Sequence, residues 1–382
     1  MTNIPFVDLS LQHEPLLDEI KQSLLDVVAR GDFILGQDVR DFEQQFAQLT
    51  GVQYGIGVGS GTDAIALGLQ ACGLGPGDEV LIPANTFIAT VIGALHSGVT
   101  PILVDCDPKT ALIDLEAAQQ AITPKTKAIL PVHLYGQMVP PQALLDFAQA
   151  HHLTIFEDAA QAHLAHREGY TAGAVGKAAA YSFYPSKNLG AFGNGGIVLT
   201  DSEDIAHKIR CYRNYGAAQK YVHTELGTNS RLDTLQAAVL KVKLPHLQDW
   251  NLSRNQAAAQ YDKALNPLAD SGITPLENQS GTGHIYHLYI VRIEPSCPLN
   301  RDEIQAQLSD RGISTGIHYP IPCHLQPAYH HLGYQEGDFP QAEALCREIL
   351  SLPMYPGLSE AQVTRVVDTL KEILADAQSL RA

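Results

Sequence analysis

Lys187 stands in the run Ala180-Tyr-Ser-Phe-Tyr-Pro-Ser-Lys-Asn-Leu-Gly-Ala-Phe-Gly-Asn-Gly-Gly196, behind aromatic residues and ahead of a glycine-rich turn. Burial among aromatics lowers an amine's pKa and leaves a nucleophile able to form a Schiff base with an aldehyde. A lone lysine is more often a solvated surface charge, so other segments must give this one meaning. Phe156-Glu-Asp-Ala-Ala-Gln-Ala-His163 places Asp158 directly after an apolar run. A carboxylate there serves either as a helix cap or as the partner of a pyridine nitrogen, keeping that nitrogen protonated and the ring electron-poor.

The third segment is Val58-Gly-Ser-Gly-Thr-Asp-Ala-Ile-Ala-Leu-Gly-Leu69, in which Ser60, Gly61 and Thr62 precede a helix. On its own it reads as an ordinary N-cap. Free amides at a helix start also hold phosphate, glycine permits close approach, and the hydroxyls of Ser60 and Thr62 add donors. No Gly-Lys-Ser/Thr follows, and the glycines do not match a dinucleotide fingerprint, so nucleotide hydrolysis is unsupported. An anion cradle, a ring-nitrogen partner and an imine-forming amine are together what pyridoxal phosphate requires.

Elements must bring these residues together. Apolar runs at 79–82, 101–104, 128–132, 154–157, 179–183 and 197–199 alternate with helical stretches, which predicts a mostly parallel sheet covered by helices. Asp105, His133, Asp158 and Ser182 lie at or just beyond carboxyl ends of these runs, where open α/β sheets bind ligands. Residues 12–50 read as helical with a break at 31–36, forming an arm and lead-in. A long helix is predicted from Asp233 to about Trp250. Beyond it, 287–293, a helix near 301–311 and a strand at 313–317 suggest an α+β unit. The expected organisation is an arm and large cofactor-binding domain over 1–250 and a small domain over 251–382.

Composition narrows the function classes. A chain of 382 residues with formal charge −16 repels a phosphate backbone, so no nucleic-acid partner is expected. Six scattered cysteines without a CxxC pair fit reduced thiols and a cytoplasmic setting. No apolar run approaches the length that spans a bilayer. His318, Cys323, His324, His330 and His331 match no usual zinc spacing, so no metal is expected. His133, His163 and His166 read as hydrogen-bonded histidines.

The ordered segments Gly59-Ser-Gly-Thr-Asp-Ala64, Pro83-Ala-Asn-Thr-Phe-Ile-Ala-Thr90, Glu157-Asp-Ala-Ala-Gln-Ala-His163, Ser182-Phe-Tyr-Pro-Ser-Lys187, Gly227-Thr-Asn-Ser-Arg231 and Ser351-Leu-Pro-Met-Tyr-Pro356 resemble the DegT/DnrJ/EryC1/StrS sugar aminotransferases over nearly the whole chain. The resemblance implies the aspartate-aminotransferase (type I) fold and pyridoxal phosphate as cofactor. It implies that Ser60, Gly61, Thr62 and Ser182 contact phosphate, Phe87 stacks on the ring and Asp158 meets the ring nitrogen. Gln161 would sit beside the ring hydroxyl, and Lys187 would be the Schiff-base lysine. Asn229 would reach the phosphate in a neighbouring subunit, making a homodimer with shared sites.

Within this family, 131–136, 220–225 and 318–329 look like enzymes that aminate C3 of dTDP-linked 3-keto-6-deoxyhexoses, with L-glutamate as amino donor. Tyr184, His318, Tyr319, His324 and Gln326 are then the substrate-binding candidates. Leu164 replaces a glycine common after Gln-Ala-His and is expected to narrow the space near His163; Asn194 replaces a common aspartate. The alternatives are a 4-keto nucleotide-sugar aminotransferase, a sugar dehydratase of the superfamily and a non-catalytic regulator of the same fold. Lysine at 187, where the dehydratases carry histidine, favours amine transfer.

Overall fold

The apolar runs read from the sequence become strands of one sheet in a computed structural model that describes residues 3–379. In chain order the strands of that sheet are β1 (Tyr54–Val58), β2 (Glu79–Pro83), β3 (Thr100–Val104), β4 (Thr126–Ile129), β5 (Thr154–Asp158), β6 (Ala178–Ser182) and β7 (Gly196–Thr200). They lie side by side as β1-β7-β6-β5-β4-β2-β3. The contacts of β2 through β6 are parallel, and β7 alone runs against its two neighbours. This is the expected α/β type I architecture. β1 was not foreseen; its alternating glycines, Tyr-Gly-Ile-Gly-Val, carry little strand signal.

Register explains why the three segments meet. Gly196 at the start of β7 pairs with Val58 at the end of β1 and with Ser182 at the end of β6. Asp158 pairs with Ala180 one strand over. The phosphate-type turn after β1, the lysine turn between β6 and β7 and the end of β5 therefore share one edge.

Side-chain alternation then sorts the two faces of β6 and its continuation. Tyr181 and Phe183 point to the helix Gln37–Thr50, where Phe46 meets Tyr181 at 5.2 Å and Phe42 meets Phe183 at 5.1 Å between ring centres. Ser182, between them, faces the cleft. Edge-on aromatic contacts of this kind fix ring orientation as well as burying area.

The helix Thr234–Lys243 gives way to a single turn at Leu244–His246 and then to the helix Leu247–Leu265, inside which residue 250 falls. Residues 1, 2 and 380–382 of the two expected domain ranges lie outside the described residues. A second sheet, β8 (Ile273–Pro275), β9 (Tyr289–Ile293) and β10 (Ile349–Leu352), is antiparallel. It shares a core with the helices Arg301–Asp310 and Glu360–Ser379. The strand expected at 313–317 is not formed. Ile313 bridges Ile4 and Gly316 bridges Ser351, so the segment changes partners before a ladder can build. Among the described residues no helix is long and apolar enough to cross a membrane.

Candidate active site

A cleft of about 530 Å³ opens along the shared edge. At its first wall the helix Gly61–Ala71 begins, capped by Ser60 Oγ, which accepts from Asp63 N at 3.1 Å. The amides of Gly61 and Thr62 precede any intrahelical acceptor and remain available to an anion. Asp63 itself is turned aside, accepting from Ser230 Oγ at 2.8 Å. Glycine at 61 is dictated by close approach, since a Cβ would lie 2.7 Å from Ser182 Cβ. Gly61→Ala is thus expected to force these walls apart at about 1–3 kcal/mol, or roughly 5- to 150-fold weaker cofactor retention, measurable by equilibrium dialysis.

Asp158 forms the floor. Its Oδ1 accepts from Ala160 N at 3.1 Å and its Oδ2 from Thr90 Oγ1 at 2.8 Å. Burial pushes its carboxyl above the usual carboxylate range, opposed by those donors and by the Lys187 charge. Thr90 stands in the first turn of the helix Ile88–Ser97 and accepts in turn from Thr86 Oγ1 at 2.8 Å.

Lys187 sits on a pinched turn. Lys187 N donates to Tyr184 O at 2.8 Å and Ala191 N to Phe183 O at 2.9 Å. A side chain on Gly190 would strike Pro185 O at 2.2 Å, so the turn closes only with glycine there. Lys243 Nζ supports it from beneath, donating to Gly190 O at 2.5 Å. Among the described residues, no hydrogen-bond partner of Lys187 Nζ is found, and burial lowers its pKa to about 8 against the pull of Asp158. A lowered lysine pKa means the neutral, reactive amine prevails above that pH. Acylation of Lys187 in cofactor-free protein is therefore expected to be half-maximal near pH 8, far below ordinary lysines, by peptide mass spectrometry.

The upper wall is aromatic. Phe87, half exposed, stands 5.2 Å from the Tyr319 ring. Gln161 accepts from Tyr135 N at 2.6 Å and donates to Tyr319 OH at 3.1 Å. His318 shares a hydrogen bond with Ser351 Oγ at 2.8 Å, and burial followed by the Lys187 charge lowers its pKa to about 4. Tyr184 is exposed at the rim. Phe87, Gln161, Ser182, Tyr184, His318 and Tyr319 line the same cleft.

Other candidates go elsewhere. His324 is buried beneath its loop, donating to Glu343 Oε1 at 3.0 Å, and neither it nor Gln326 lines the cleft. Asp105 accepts from the amides of Gln341 and Ala342. His133 pairs with buried Glu157 at 2.8 Å. Asn229 is exposed outside the cleft of its own chain. Leu164 lies in a groove with Leu49 and Leu244 instead of narrowing the cleft, and its φ of 66° explains why glycine suits that position. Asn194 does line the cleft, as do Thr90 and His287, which the sequence motifs did not single out as site residues. Among the described residues no group of three or more His, Cys, Asp and Glu could hold a metal.

An unpartnered amine, free helix amides, a buried carboxylate and an aromatic face fit a phosphorylated pyridine aldehyde. Comparisons agree with that chemistry. The DegT/DnrJ/EryC1/StrS aminotransferase family profile matches residues 16–371. Among curated proteins, the chain is 46% identical to a "pleiotropic regulatory protein" of Geobacillus stearothermophilus over 97% of this chain and 98% of that one. It is 43% identical to a dTDP-3-amino-3,4,6-trideoxy-alpha-D-glucose transaminase of Streptomyces venezuelae (97% and 96%). It is 40% identical to a UDP-N-acetyl-3-dehydro-alpha-D-glucosamine 3-aminotransferase of Acidithiobacillus ferrooxidans (98% and 98%).

Among solved structures, S. venezuelae DesV superposes with a TM-score of 0.93 at 43% identity, covering 97% of this chain and 98% of that one. NtdA of Bacillus subtilis, with bound cofactor PMP, gives a TM-score of 0.88 at 33% identity (98% and 86%). The chain belongs to the DegT/DnrJ/EryC1/StrS aminotransferase family and is a pyridoxal-phosphate-dependent sugar aminotransferase.

Proposed function

We propose that this enzyme moves an amino group from L-glutamate to C3 of a dTDP-linked 3-keto-6-deoxyhexose, with Lys187 as the proton-transferring residue. The single observation that carries the reading is the enclosed, unpartnered Lys187 amine in one cleft with buried Asp158. The names of the dTDP-sugar and UDP-sugar relatives both place the amine at C3, which supports C3 over C4. The regulatory name of another relative suggests a non-catalytic protein, but an intact lysine and carboxylate pair supports turnover.

Bound in the cleft, pyridoxal phosphate supplies an aldehyde carbon for the amino nitrogen and an electron-poor ring. In this reading, Gly61 and Thr62 amides with the Ser60, Thr62 and Ser182 hydroxyls hold its phosphate. Phe87 would cover one ring face, Gln161 would stand at the ring hydroxyl, and Asp158 would keep the ring nitrogen protonated. Lys187 takes the proton from the donor's Cα and later gives one to the sugar carbon. Tyr184, His318 and Tyr319 border the space left for the sugar. His324 and Gln326 are dropped from the substrate-binding set.

Asn229 lies in an exposed stretch with Tyr221 at 83% and Leu226 at 98% accessibility. Apolar side chains this exposed suit a second copy of the chain, so we place Asn229 at the partner's phosphate in a homodimer. Glutamate and a panel of 3-keto and 4-keto sugars on dTDP and UDP, scored by mass for amine, test the assignment. Preferred amination of the dTDP 3-keto sugar is expected. Preference for a 4-keto sugar or a UDP sugar overturns the substrate, and no product from any member overturns the catalytic reading.

A further inference from the structure

The lysine turn is gripped from below by a second buried lysine. Gln236 and Lys243 lie seven residues apart on the helix Thr234–Lys243, so two helical turns bring them to one face. Both meet the lysine turn: Gln236 Oε1 accepts from Phe192 N at 2.8 Å, and Lys243 Nζ donates to Gly190 O at 2.5 Å. Lys243 is 1% exposed, and its amine has no carboxylate partner among the described residues. Its other neighbours are His13 Nε2 at 3.2 Å and the rings of Phe192 and Trp250, each centred 5.9 Å away. One carbonyl, one imidazole nitrogen and two π faces therefore stand where a counter-ion usually does.

This environment fixes the role of each member. Burial lowers the Lys243 pKa to about 8, so at neutral pH the group is an ammonium that can only donate. His13 Nε2 must then accept, and the neutral ring carries its hydrogen on Nδ1. Burial first, then the Lys243 charge, lowers the His13 pKa to about 4. The His13 ring also meets Phe192 edge-on, with 4.9 Å between centres. His13 ends the short helix Ser10–His13 of the amino-terminal arm, so the arm, the helix and the lysine turn meet at this one amine. A buried cation without an anion costs stability. What this one secures is the Gly190 carbonyl, three residues beyond Lys187.

We propose that Lys243 is a positioning residue for Lys187: its amine anchors the Gly190 carbonyl and with it the turn that presents Lys187 to the cleft, while His13 of the arm holds that amine in place. This rests on the assignment of Lys187 above. A purely structural role, in which Lys243 serves only to seat the arm, leaves the lysine turn and the rate of reaction of bound substrate unmoved.

Lys243→Met keeps the length and bulk of the side chain but cannot donate to Gly190 O. It is expected to lower kcat by about 100-fold through misplacement of Lys187, with KM for the amino donor little changed. Lys243→Arg restores a donor and is expected to recover to within roughly tenfold of the parent, since its longer head group is less well aligned. At the partly exposed arm position, His13→Leu is expected to lose roughly tenfold in kcat, the lower end for one hydrogen bond to a charged group. His13→Gln, whose side-chain oxygen can take the place of Nε2, is expected to stay near the parent.

Hydrogen exchange read by mass spectrometry needs no turnover. In holoenzyme and cofactor-free protein alike, the 187–196 peptide of Lys243→Met is expected to exchange about tenfold faster than the parent's, because loss of one buried anchor eases local opening. Peptides of β4 and β5 are expected to keep parental rates. Parental exchange at 187–196, a loss of protection spread evenly over the large sheet, parental kcat in Lys243→Met, or equal losses in the methionine and arginine variants overturns the proposal. If Lys243→Met does not fold, the His13 pair decides: a slowed enzyme with a loosened turn in His13→Leu alone supports the proposal, and parental behaviour in both overturns it. Lys187→Ala reports separately on the Lys187 assignment, and the exchange measurement stands whichever way that variant falls.

Discussion

Lys187→Ala is expected to abolish turnover, lowering kcat by roughly 10⁴-fold, the upper range for removing a group that both takes and returns a proton. The fold is expected to survive. Lys187 Nζ has no hydrogen-bond partner among the described residues, and the turn is closed by Lys187 N to Tyr184 O, Ala191 N to Phe183 O and Lys243 to Gly190 O, none of which uses the Lys187 side chain. Cofactor retention is also expected to persist in part, because helix amides and hydroxyls remain. Borohydride treatment of the parent is expected to add the cofactor's mass to the 182–196 peptide, and the alanine variant to show no such adduct. Near-parental activity in a well-folded Lys187→Ala protein refutes the assignment, whatever the substrate.

The parts of this site that were legible in the sequence are those where residue type and element boundary coincide. Asp158 and Ser182 end strands whose apolar runs are unmistakable, and Ser60-Gly61-Thr62 begins a helix with a clear apolar stripe. Their convergence depends on β7 running against the sheet, which no periodicity reveals. Tertiary pairing of Gly196 with both Val58 and Ser182 decides it.

The misses have physical causes too. Thr90 reads as an ordinary helix residue, and only the fold aims its hydroxyl at Asp158. His287 heads the 287–293 run, which carries no sign of a site residue; the strand begins at Tyr289, and the histidine just before it lines the cleft. His324 is a substrate candidate through the resemblance of 318–329 to C3-aminating enzymes, but a matching loop sequence does not tell which way a ring points, and this one turns to Glu343. Leu164 was read as a matter of bulk, whereas the position is a matter of backbone, with φ in the left-handed region.

Asp158→Asn tests the electrostatic half of the site. The carboxylate accepts on both oxygens, from Ala160 N and from Thr90 Oγ1. Asparagine can keep the Ala160 contact on its oxygen while its amide nitrogen faces Thr90, whose hydroxyl must then turn its hydrogen back toward Thr86. The cavity stays filled and the polar atoms stay paired, so the melting temperature is expected to change little. What is lost is the negative charge proposed to face the ring nitrogen. Removing a preorganised electrostatic partner of developing charge costs roughly 10²–10³-fold in kcat, and that fall is expected with donor KM little changed.

Thr90→Val serves as the graded control. It retains the charge but removes one hydrogen bond to it, worth about 1.5–3 kcal/mol, and leaves Asp158 with one donor fewer against its burial. Its loss of rate is therefore expected to be smaller than that of Asp158→Asn and to be greatest at the acid end of the profile, where the less supported carboxylate takes up a proton first. Equal rates for parent and Asp158→Asn remove the ring-nitrogen role, and a larger loss in Thr90→Val than in Asp158→Asn shows that the hydroxyl chain, not the charge, is what the reaction uses.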